Sequence, residues 1–199
     1  MKLHRARHSR RPFGILDIGS SKICCMIGEH DKNGGVRLLG QGTHASGGIR
    51  AGEVTALADL SDAIGNAVQT AERAAGVSMN AVSVVLAGGS PRSNFRTQAI
   101  TMSDSTVSRR DVRRLLDRSG AQELDNALQL MQLHPLHYSL DDIRGISDPV
   151  GMRGRELTVD FLTVVANRTH LANIIEALAQ NHLGVERFIH AGYAAGLAC

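Results

Sequence analysis

The segment spanning residues 13–27 consists of two apolar runs joined by a short polar turn. Residues 13–18 are apolar apart from Asp17, residues 23–27 are apolar throughout, and the turn 19–22 reads Gly-Ser-Ser-Lys. Two runs of strand length joined by a few turn residues are typical of a β-hairpin. The segment therefore predicts two buried strands with a polar turn between them.

The turn carries the groups that bind a phosphate. Gly19 lets the backbone turn and approach a ligand closely, successive N–H groups form an anion-binding nest, and Ser20 and Ser21 add hydroxyl donors. Lys22 adds a positive charge, and Asp17 fits a magnesium ion held through water, since magnesium keeps much of its hydration shell. The short motif also occurs at turns that bind nothing, so a plain hairpin stays open. A carboxylate inside a buried run is costly, which favours a task for Asp17.

The hairpin resembles the first phosphate loop of the actin, Hsp70 and sugar-kinase superfamily. Residues 46–54, SGGIRAGEV, are similar to the segment of the form S-x-G…G-x-(I/V) in one branch, the FtsA family of bacterial cell-division actin homologues. Residues 145–157, GISDPVGMRGREL, are similar to that family's G-I-x-(N/D)-P-x-G-(M/L)-x-G-x-x-(L/M) stretch. Other branches of the superfamily lack the second stretch. The resemblance extends from about Phe13 to the last residue.

The resemblance implies an α/β fold, an actin-like (ribonuclease-H-like) ATPase subdomain 1A with a small inserted α+β subdomain 1C that is SHS2-like. We expect subdomain 1A at residues 13–87 and 167–199, the insertion at 88–166 and a disordered basic arm at 1–12.

Hydrophobic periodicity predicts strands at 36–43, after a turn at 33–35, and at 81–87, within 92–102, in two short stretches around Pro135, at 157–165 and at 185–189. It predicts helices from Leu57 to Ala75 with a stop at Gly76, after an N-cap pair of Ser108 and Asp111, over 171–183 with a stop at Gly184, and from 191 onward.

The resemblance implies a cytoskeletal adaptor for cell division with at most weak ATPase activity, not a metabolic enzyme. Family members bind ATP and Mg²⁺, polymerise on the inner face of the cytoplasmic membrane and tether the tubulin-like protein FtsZ there during septum formation. On this resemblance Gly19, Ser20, Ser21 and Lys22 contact the nucleotide phosphates, and Asp17 contacts the magnesium ion. The family's inserted subdomain contributes to self-association and to contact with late division proteins such as FtsN.

Several parts of the family pattern have no counterpart in the 199 residues. These are the second phosphate loop, the adenosine-binding segment, the FtsZ-binding region and the C-terminal amphipathic membrane helix. We therefore expect the N-terminal half of such a protein, with an incomplete nucleotide site. The alternative is a phosphotransferase of the sugar-kinase branch. That reaction needs a catalytic carboxylate and a sugar pocket, which we do not recognise here, and the stretch 145–157 argues against it.

The residues before the first strand are strongly basic. They include Lys2, Arg5, Arg7, Arg10 and Arg11, and no acidic residue precedes Asp17. A solvated tail is favoured over a nucleic-acid or lipid-binding arm, since the arm has no aromatic residue for base stacking. The arginine pair at 10–11 resembles an export signal, but Asp17 and Lys22 interrupt the apolar segment that such a signal needs. We expect a cytoplasmic protein, peripheral on the inner face of the membrane, with no nucleic-acid partner.

Five arginines crowd the predicted helix of the insertion: Arg109, Arg110, Arg113, Arg114 and Arg118. Arg110 and Arg114 share a helix face at i,i+4, as do Arg114 and Arg118. A solvated surface and a docking face for an acidic partner are both open interpretations. The resemblance supports a docking role for the subdomain but assigns none to these arginines.

The cysteines and histidines do not predict a metal site. Cys24 and Cys25 are adjacent in a predicted strand, so their side chains point to opposite faces and suit neither a disulfide nor a metal pair. With Cys199 they are expected to be buried free thiols in a reducing cytoplasm. His134 and His137 are the closest histidine pair, but no cysteine or second pair completes a tetrahedral set.

Overall fold

The computed structural model describes residues 11–32, 34–120 and 125–199, so the predicted arm lies almost entirely outside the described residues, as does the first residue of the predicted turn at 33–35. Two compact units make up the chain. Residues 92–165 form one, here called the inserted unit, and the chain on either side of it forms the other, here called the flanking unit.

The elements follow one another in the order that the periodicity predicts, with three additional strands, two that form a hairpin within residues 49–54 and one over residues 143–146. They are β1 (Phe13–Ile18), β2 (Lys22–His30), β3 (Val36–Ala45), β4 (Ile49–Arg50), β5 (Glu53–Val54), α1 (Leu57–Ala75), β6 (Ala81–Leu86), β7 (Arg92–Thr101), α2 (Arg109–Gly120), β8 (Leu128–Leu140), β9 (Ile143–Ile146), β10 (Glu156–Asn167), α3 (Arg168–Ala179), β11 (Gly184–His190) and α4 (Ala191–Ala198).

The flanking unit is built on a five-stranded sheet in the order β11-β6-β1-β2-β3. Strand β2 runs antiparallel to both of its neighbours, β1 and β3, whereas β1, β6 and β11 are parallel to one another. Alternate side chains of β1, β2 and β6, such as Leu16, Ile23 and Val84, are fully buried, which is the period of two expected of strands with one covered face. Helix α1 packs on β2 and β3, and its apolar stripe, including Leu60 and Ile64, is buried.

The inserted unit has its own sheet and core. Its strands lie in the order β7-β10-β8-β9. Leu115 of α2 and Phe161 of β10 are both fully buried in its apolar core, together with Leu140 and Leu157. Ser108 and Asp111 cap α2 as predicted, since the Asp111 N–H donates to Ser108 Oγ and the Ser108 N–H donates to Asp111 Oδ2.

The predictions for the end of helix α3 and for the strand around Pro135 are wrong. Helix α3 ends at Ala179 rather than near 183, because His182 adopts φ 57° and the Leu183 N–H donates to the Leu178 carbonyl, which closes the helix. Strand β8 is continuous through Pro135, where two stretches were predicted. Its partner β9 pairs only from Tyr138 onward, so a residue without an N–H breaks no pairing with β9 at that point.

Candidate functional site

The predicted phosphate loop lies at the carboxyl edge of three parallel strands. Ile18 at the end of β1 pairs with Leu86 at the end of β6, and Leu86 pairs with His190 at the end of β11. The loop 19–21 follows β1 directly, and β2 begins at Lys22. In open α/β sheets ligands bind outside the carboxyl ends of parallel strands, so the topology supports a binding site here.

Two backbone N–H groups of the loop have no acceptor among the residues that the structure describes: those of Ser20 and Ser21. The Gly19 N–H donates to the Lys22 carbonyl oxygen at 3.1 Å and is therefore occupied within the turn. Gly19 does not adopt a positive φ, so the expectation that the turn needs its conformational freedom is wrong. A side chain there would place its Cβ 3.1 Å from the Lys22 carbonyl oxygen. Glycine instead lets this carbonyl lie close to the backbone of residue 19. Adjacent unpaired N–H groups are suited to an anion.

The Ser20 hydroxyl is oriented by a residue that is 32 positions further along the chain. Its Oγ accepts a hydrogen bond of 2.9 Å from the N–H of Gly52. A serine hydroxyl has one proton to donate, and accepting this bond leaves that proton available for a ligand oxygen. Gly52, with φ 82°, and Ala51, with φ 49°, form the two-residue turn between β4 and β5. We did not predict this hairpin, although a glycine in a two-residue turn is its signal.

The turn after β6 packs against the same place. A Cβ added to Gly88 would lie 1.8 Å from the Gly52 carbonyl oxygen, so only glycine fits there. The Gly89 carbonyl accepts the Asn167 N–H at 2.9 Å. Nearby, the buried His170 has Nδ1 3.1 Å from Glu53 Oε2, a contact that is an ion pair when the ring is protonated but lacks hydrogen-bond geometry. Backbone contacts thus join the turn after β6 to the β4–β5 turn, which in turn holds Ser20.

Asp17 and Lys22 lie on the sheet face opposite the one that α1 covers. Asp17 alternates with the buried Leu16 and Ile18 and is itself exposed, so the premise of a buried carboxylate is wrong. Lys22 is also exposed, and the two make no ion pair in the part of the chain that is described. An exposed carboxylate with open sides suits a hydrated magnesium ion, which keeps its water ligands. The residues present therefore fit a magnesium phosphate group.

The three cysteines differ in burial, and the prediction that they are buried is wrong for Cys199: Cys25 is buried, Cys24 is half-buried and Cys199 is exposed. Burial raises the pKa of the Cys25 thiol to about 12, which keeps it neutral and unreactive. Burial lowers the pKa of His134, and His137 Nε2 lies 2.8 Å from Asp160 Oδ2. Within the described ranges no group of three or more histidine, cysteine or acidic side chains is arranged to hold a metal.

The predicted docking arginines lie in α2, which belongs to the inserted unit. Arg110, Arg114 and Arg118 are all exposed. Arg114 differs from the other two, because its Nη2 donates to the Thr101 carbonyl at 3.1 Å and contacts Asp111 Oδ1 at 3.3 Å. Together with Asp117 these arginines line a shallow depression on the helix surface, and so does Arg113, which the i,i+4 spacing did not include.

The fold is that of an actin-like ATPase domain with an inserted α+β subdomain. Over 94% of its length the chain resembles a chain of the PilM–PilN type IV pilus biogenesis complex, with a TM-score of 0.57, 15% identity and 49% of that chain covered. At this identity the likeness shows the fold alone.

Sequence comparison identifies the family. Residues 88–165 match the domain described as the SHS2 domain inserted in FtsA. The chain is 33% identical over 194 residues to the cell division protein FtsA of Agrobacterium fabrum, covering 92% of the chain and 44% of that protein. It is 28% identical over 174 residues to the FtsA of Pseudomonas aeruginosa, covering 87% of the chain and 42% of that protein. The chain belongs to the FtsA family of cell division proteins and spans less than half the length of these relatives.

The family assignment confirms the predicted resemblance and the fold class. The relatives carry the name of a cell division protein, not of an enzyme. Among the residues described here, no helix is long and apolar enough to cross a membrane.

Proposed function

We propose that the loop 17–22 binds the phosphates and the magnesium ion of ATP, as one side of the nucleotide site of an actin-like cell-division protein. The observation that carries this proposal is the pair of unpaired N–H groups at Ser20 and Ser21 beside a hydroxyl that Gly52 orients. Three donors thus lie within two adjacent residues at the carboxyl edge of the sheet. Lys22 adds a cation to the phosphate position, and Asp17 would hold magnesium through water.

In the whole protein we propose that ATP binding supports self-association on the inner face of the cytoplasmic membrane. The relatives' role in cell division supports a filament that tethers FtsZ to that membrane at the septum. The inserted unit would contact late division proteins such as FtsN. The nucleotide would act as a structural ligand between two domains, with at most slow hydrolysis.

The experiment compares ATP affinity with and without magnesium, by calorimetry on the protein expressed from its whole reading frame. Asp17→Ala should weaken ATP binding in magnesium by about tenfold or more, which corresponds to about 1.4 kcal/mol. Magnesium-free binding should be almost unchanged, because Asp17 is proposed to act through the metal ion. Asp62→Ala is the matched control, because Asp62 is exposed on α1, which packs on the other face of the sheet. Equal losses in both conditions would remove the metal role of Asp17.

A second variant tests the phosphate role separately. Ser20→Ala removes a hydroxyl donor and also leaves the Gly52 N–H without its acceptor. It should weaken ATP binding whether or not magnesium is present, and Ser20→Thr should restore part of the affinity because the hydroxyl is kept. Unchanged affinity in Ser20→Ala would exclude this hydroxyl from the site.

A further inference from the structure

The arginines of α2 divide into one that is engaged and several that are free. Arg114 is tied to the Thr101 carbonyl and to Asp111. No side-chain hydrogen bond or ion pair joins Arg110, Arg113 or Arg118 to any residue in the described ranges. All three side chains are exposed. Together with Arg114 and Asp117 these three line a shallow open depression on the helix surface. The cluster of Arg110, Arg113 and Arg118 is called the arginine patch below.

Local energetics oppose this arrangement. Arg109, Arg110 and Arg113 lie in the first turns of α2, where the helix dipole is positive and favours acidic residues. Arginines four residues apart also repel one another. Asp111 offsets part of this, and hydrogen bonds from Ser108 together with the nearby arginines lower the pKa of its carboxyl. A helix selected for stability alone would not concentrate cations here, which indicates a functional reason for them.

The patch is not a side effect of a basic domain. Residues 92–165 contain ten arginines, no lysine and ten acidic residues, so the formal charge of the inserted unit is zero. Five of those arginines nevertheless belong to the twelve residues of α2. The carboxylates of the unit therefore leave a local excess of positive charge on one helix.

The surroundings favour a protein partner over a lipid surface. The apolar residues of α2 face inward: Leu115 is buried, and Val112 and Leu116 pack against the same core. The exposed face thus offers no side chain that could enter the acyl region of a membrane, as membrane-bound amphipathic helices do. A guanidinium presents a planar fork of donors that matches a carboxylate with two hydrogen bonds.

We infer that the arginine patch is the docking surface for an acidic helical segment of another protein. Arg110 and Arg118 are eight residues apart, about 12 Å along the helix axis. Carboxylates that repeat once per turn on a partner helix recur at about 6 Å and match this length. The inference goes beyond nucleotide binding and does not depend on it.

The test uses two synthetic alanine-based helical peptides with a fluorescent label. One carries glutamate at three positions four residues apart, and the other carries glutamine at the same positions. Fluorescence anisotropy measures their binding to the 199-residue chain. The glutamate peptide should bind at least about tenfold more tightly than the glutamine peptide, and its affinity should fall as salt is raised, because exposed charges are screened.

Two charge-matched triple variants locate the binding. Replacing Arg110, Arg113 and Arg118 with glutamine should weaken binding of the glutamate peptide by at least about tenfold. Replacing Arg96, Arg144 and Arg153, which are exposed elsewhere in the inserted unit, removes the same charge and should leave the affinity within about twofold. Asp117→Asn removes the one carboxylate among the described residues that line the depression and should tighten binding, which a merely unfolded variant would not do.

Three results would overturn the inference. They are equal losses in the two triple variants, equal binding of the two peptides, and patch-dependent binding of phosphatidylglycerol vesicles without binding of the glutamate peptide. The melting temperature of the patch variant should stay close to that of the wild type, because exposed charges contribute little to stability, so a loss of affinity cannot be attributed to unfolding.

Discussion

The two units offer binding groups of different kinds. In the flanking unit the candidate site is made largely of backbone: N–H groups at 20 and 21, and two turns whose glycines touch. In the inserted unit the candidate surface is made of long side chains on one exposed helix face. A site built from backbone cannot be altered without altering the fold, whereas an exposed side chain can be replaced at little cost in stability. Function and stability should therefore be coupled in the first unit and separable in the second.

The greatest loss of stability is expected for Phe161→Ala, a substitution that tests whether the inserted unit has an independent core. Phe161→Ala should reduce the free energy of unfolding of that unit by about 3–5 kcal/mol, because a fully buried phenylalanine is removed. Phe95→Ala in the same sheet should have little effect, since that side chain is 78% exposed. Hydrogen exchange should show lost protection in β10 and retained protection in β1 and β6. Equal loss of protection in both units would mean that they unfold as one.

The next effect tests the coupling in the flanking unit. Gly88→Ala should destabilise the unit by about 1–3 kcal/mol, because the added Cβ would lie 1.8 Å from the Gly52 carbonyl oxygen and the backbone must move. It should also weaken ATP binding, since Gly52 orients Ser20. Gly196→Ala in α4 is the control, because a Cβ there meets no atom within 4 Å. Chemical denaturation showing no difference between the two variants would contradict the close packing.

A smaller effect tests the start of the arginine-bearing helix. Ser108→Ala should cost about 1 kcal/mol in denaturant unfolding, because the hydroxyl that accepts the Asp111 N–H is lost. Ser105→Ala is the control, since its hydroxyl lies outside this cap. If Ser108→Ala lowered the free energy of unfolding no more than Ser105→Ala does, the Ser108 cap would not stabilise α2.

The same cap predicts a dependence on pH. Hydrogen bonds from Ser108 hold the pKa of Asp111 below its ordinary value of 3.8 in the folded state. The stabilisation is therefore fully present above the ordinary pKa and is lost as pH falls through the lower, folded-state pKa. Acid unfolding of Asp111→Asn should lack this contribution. An identical pH dependence in the variant and the wild type would exclude it.

The smallest effect tests the separability of the second unit. Arg110→Gln together with Arg118→Gln should change the free energy of unfolding by no more than about 0.5 kcal/mol, because relief of the repulsion with Arg114 and of the unfavourable dipole position of Arg110 is offset by loss of the favourable position of Arg118 in the last turn of α2. Arg114→Gln should be destabilising by comparison, since Arg114 bonds to the Thr101 carbonyl. Thermal unfolding distinguishes them. A large loss in the double variant would mean that the patch is structural.

Local patterns were sufficient for most elements and for the position of the loop. The alternation along residues 13–18 and the stripe along α1 are readable because each depends on neighbours in the chain. The end of α3 was missed because a histidine, not the glycine that follows, takes the left-handed position. The exposure of Asp17 was missed because a run that is apolar on both sides does not reveal which sheet face is covered.

The parts of the sites that the sequence did not predict depend on contacts between distant residues. Gly52 reaches Ser20 across 32 positions, and Arg114 reaches Thr101 across 13. Spacing along the helix grouped Arg114 with Arg110 and Arg118. In the structure Arg114 instead donates to the Thr101 carbonyl at the end of β7, so its side chain already has a partner. Periodicity reports which residues share a face, but it does not report which of them already has a partner.

Two-dimensional NMR tests the phosphate loop directly, in a titration of the ¹⁵N-labelled 199-residue chain with a non-hydrolysable magnesium ATP analogue at concentrations high enough to detect the weak binding that an incomplete nucleotide site allows. The amide resonances of Ser20 and Ser21 should shift most, because their N–H groups are unpaired. Gly19 should shift less, since its N–H is bound to the Lys22 carbonyl, and the amides of α2 should not respond. Large shifts in α2 with none at Ser20 and Ser21 would contradict the claim that the backbone loop is the phosphate site.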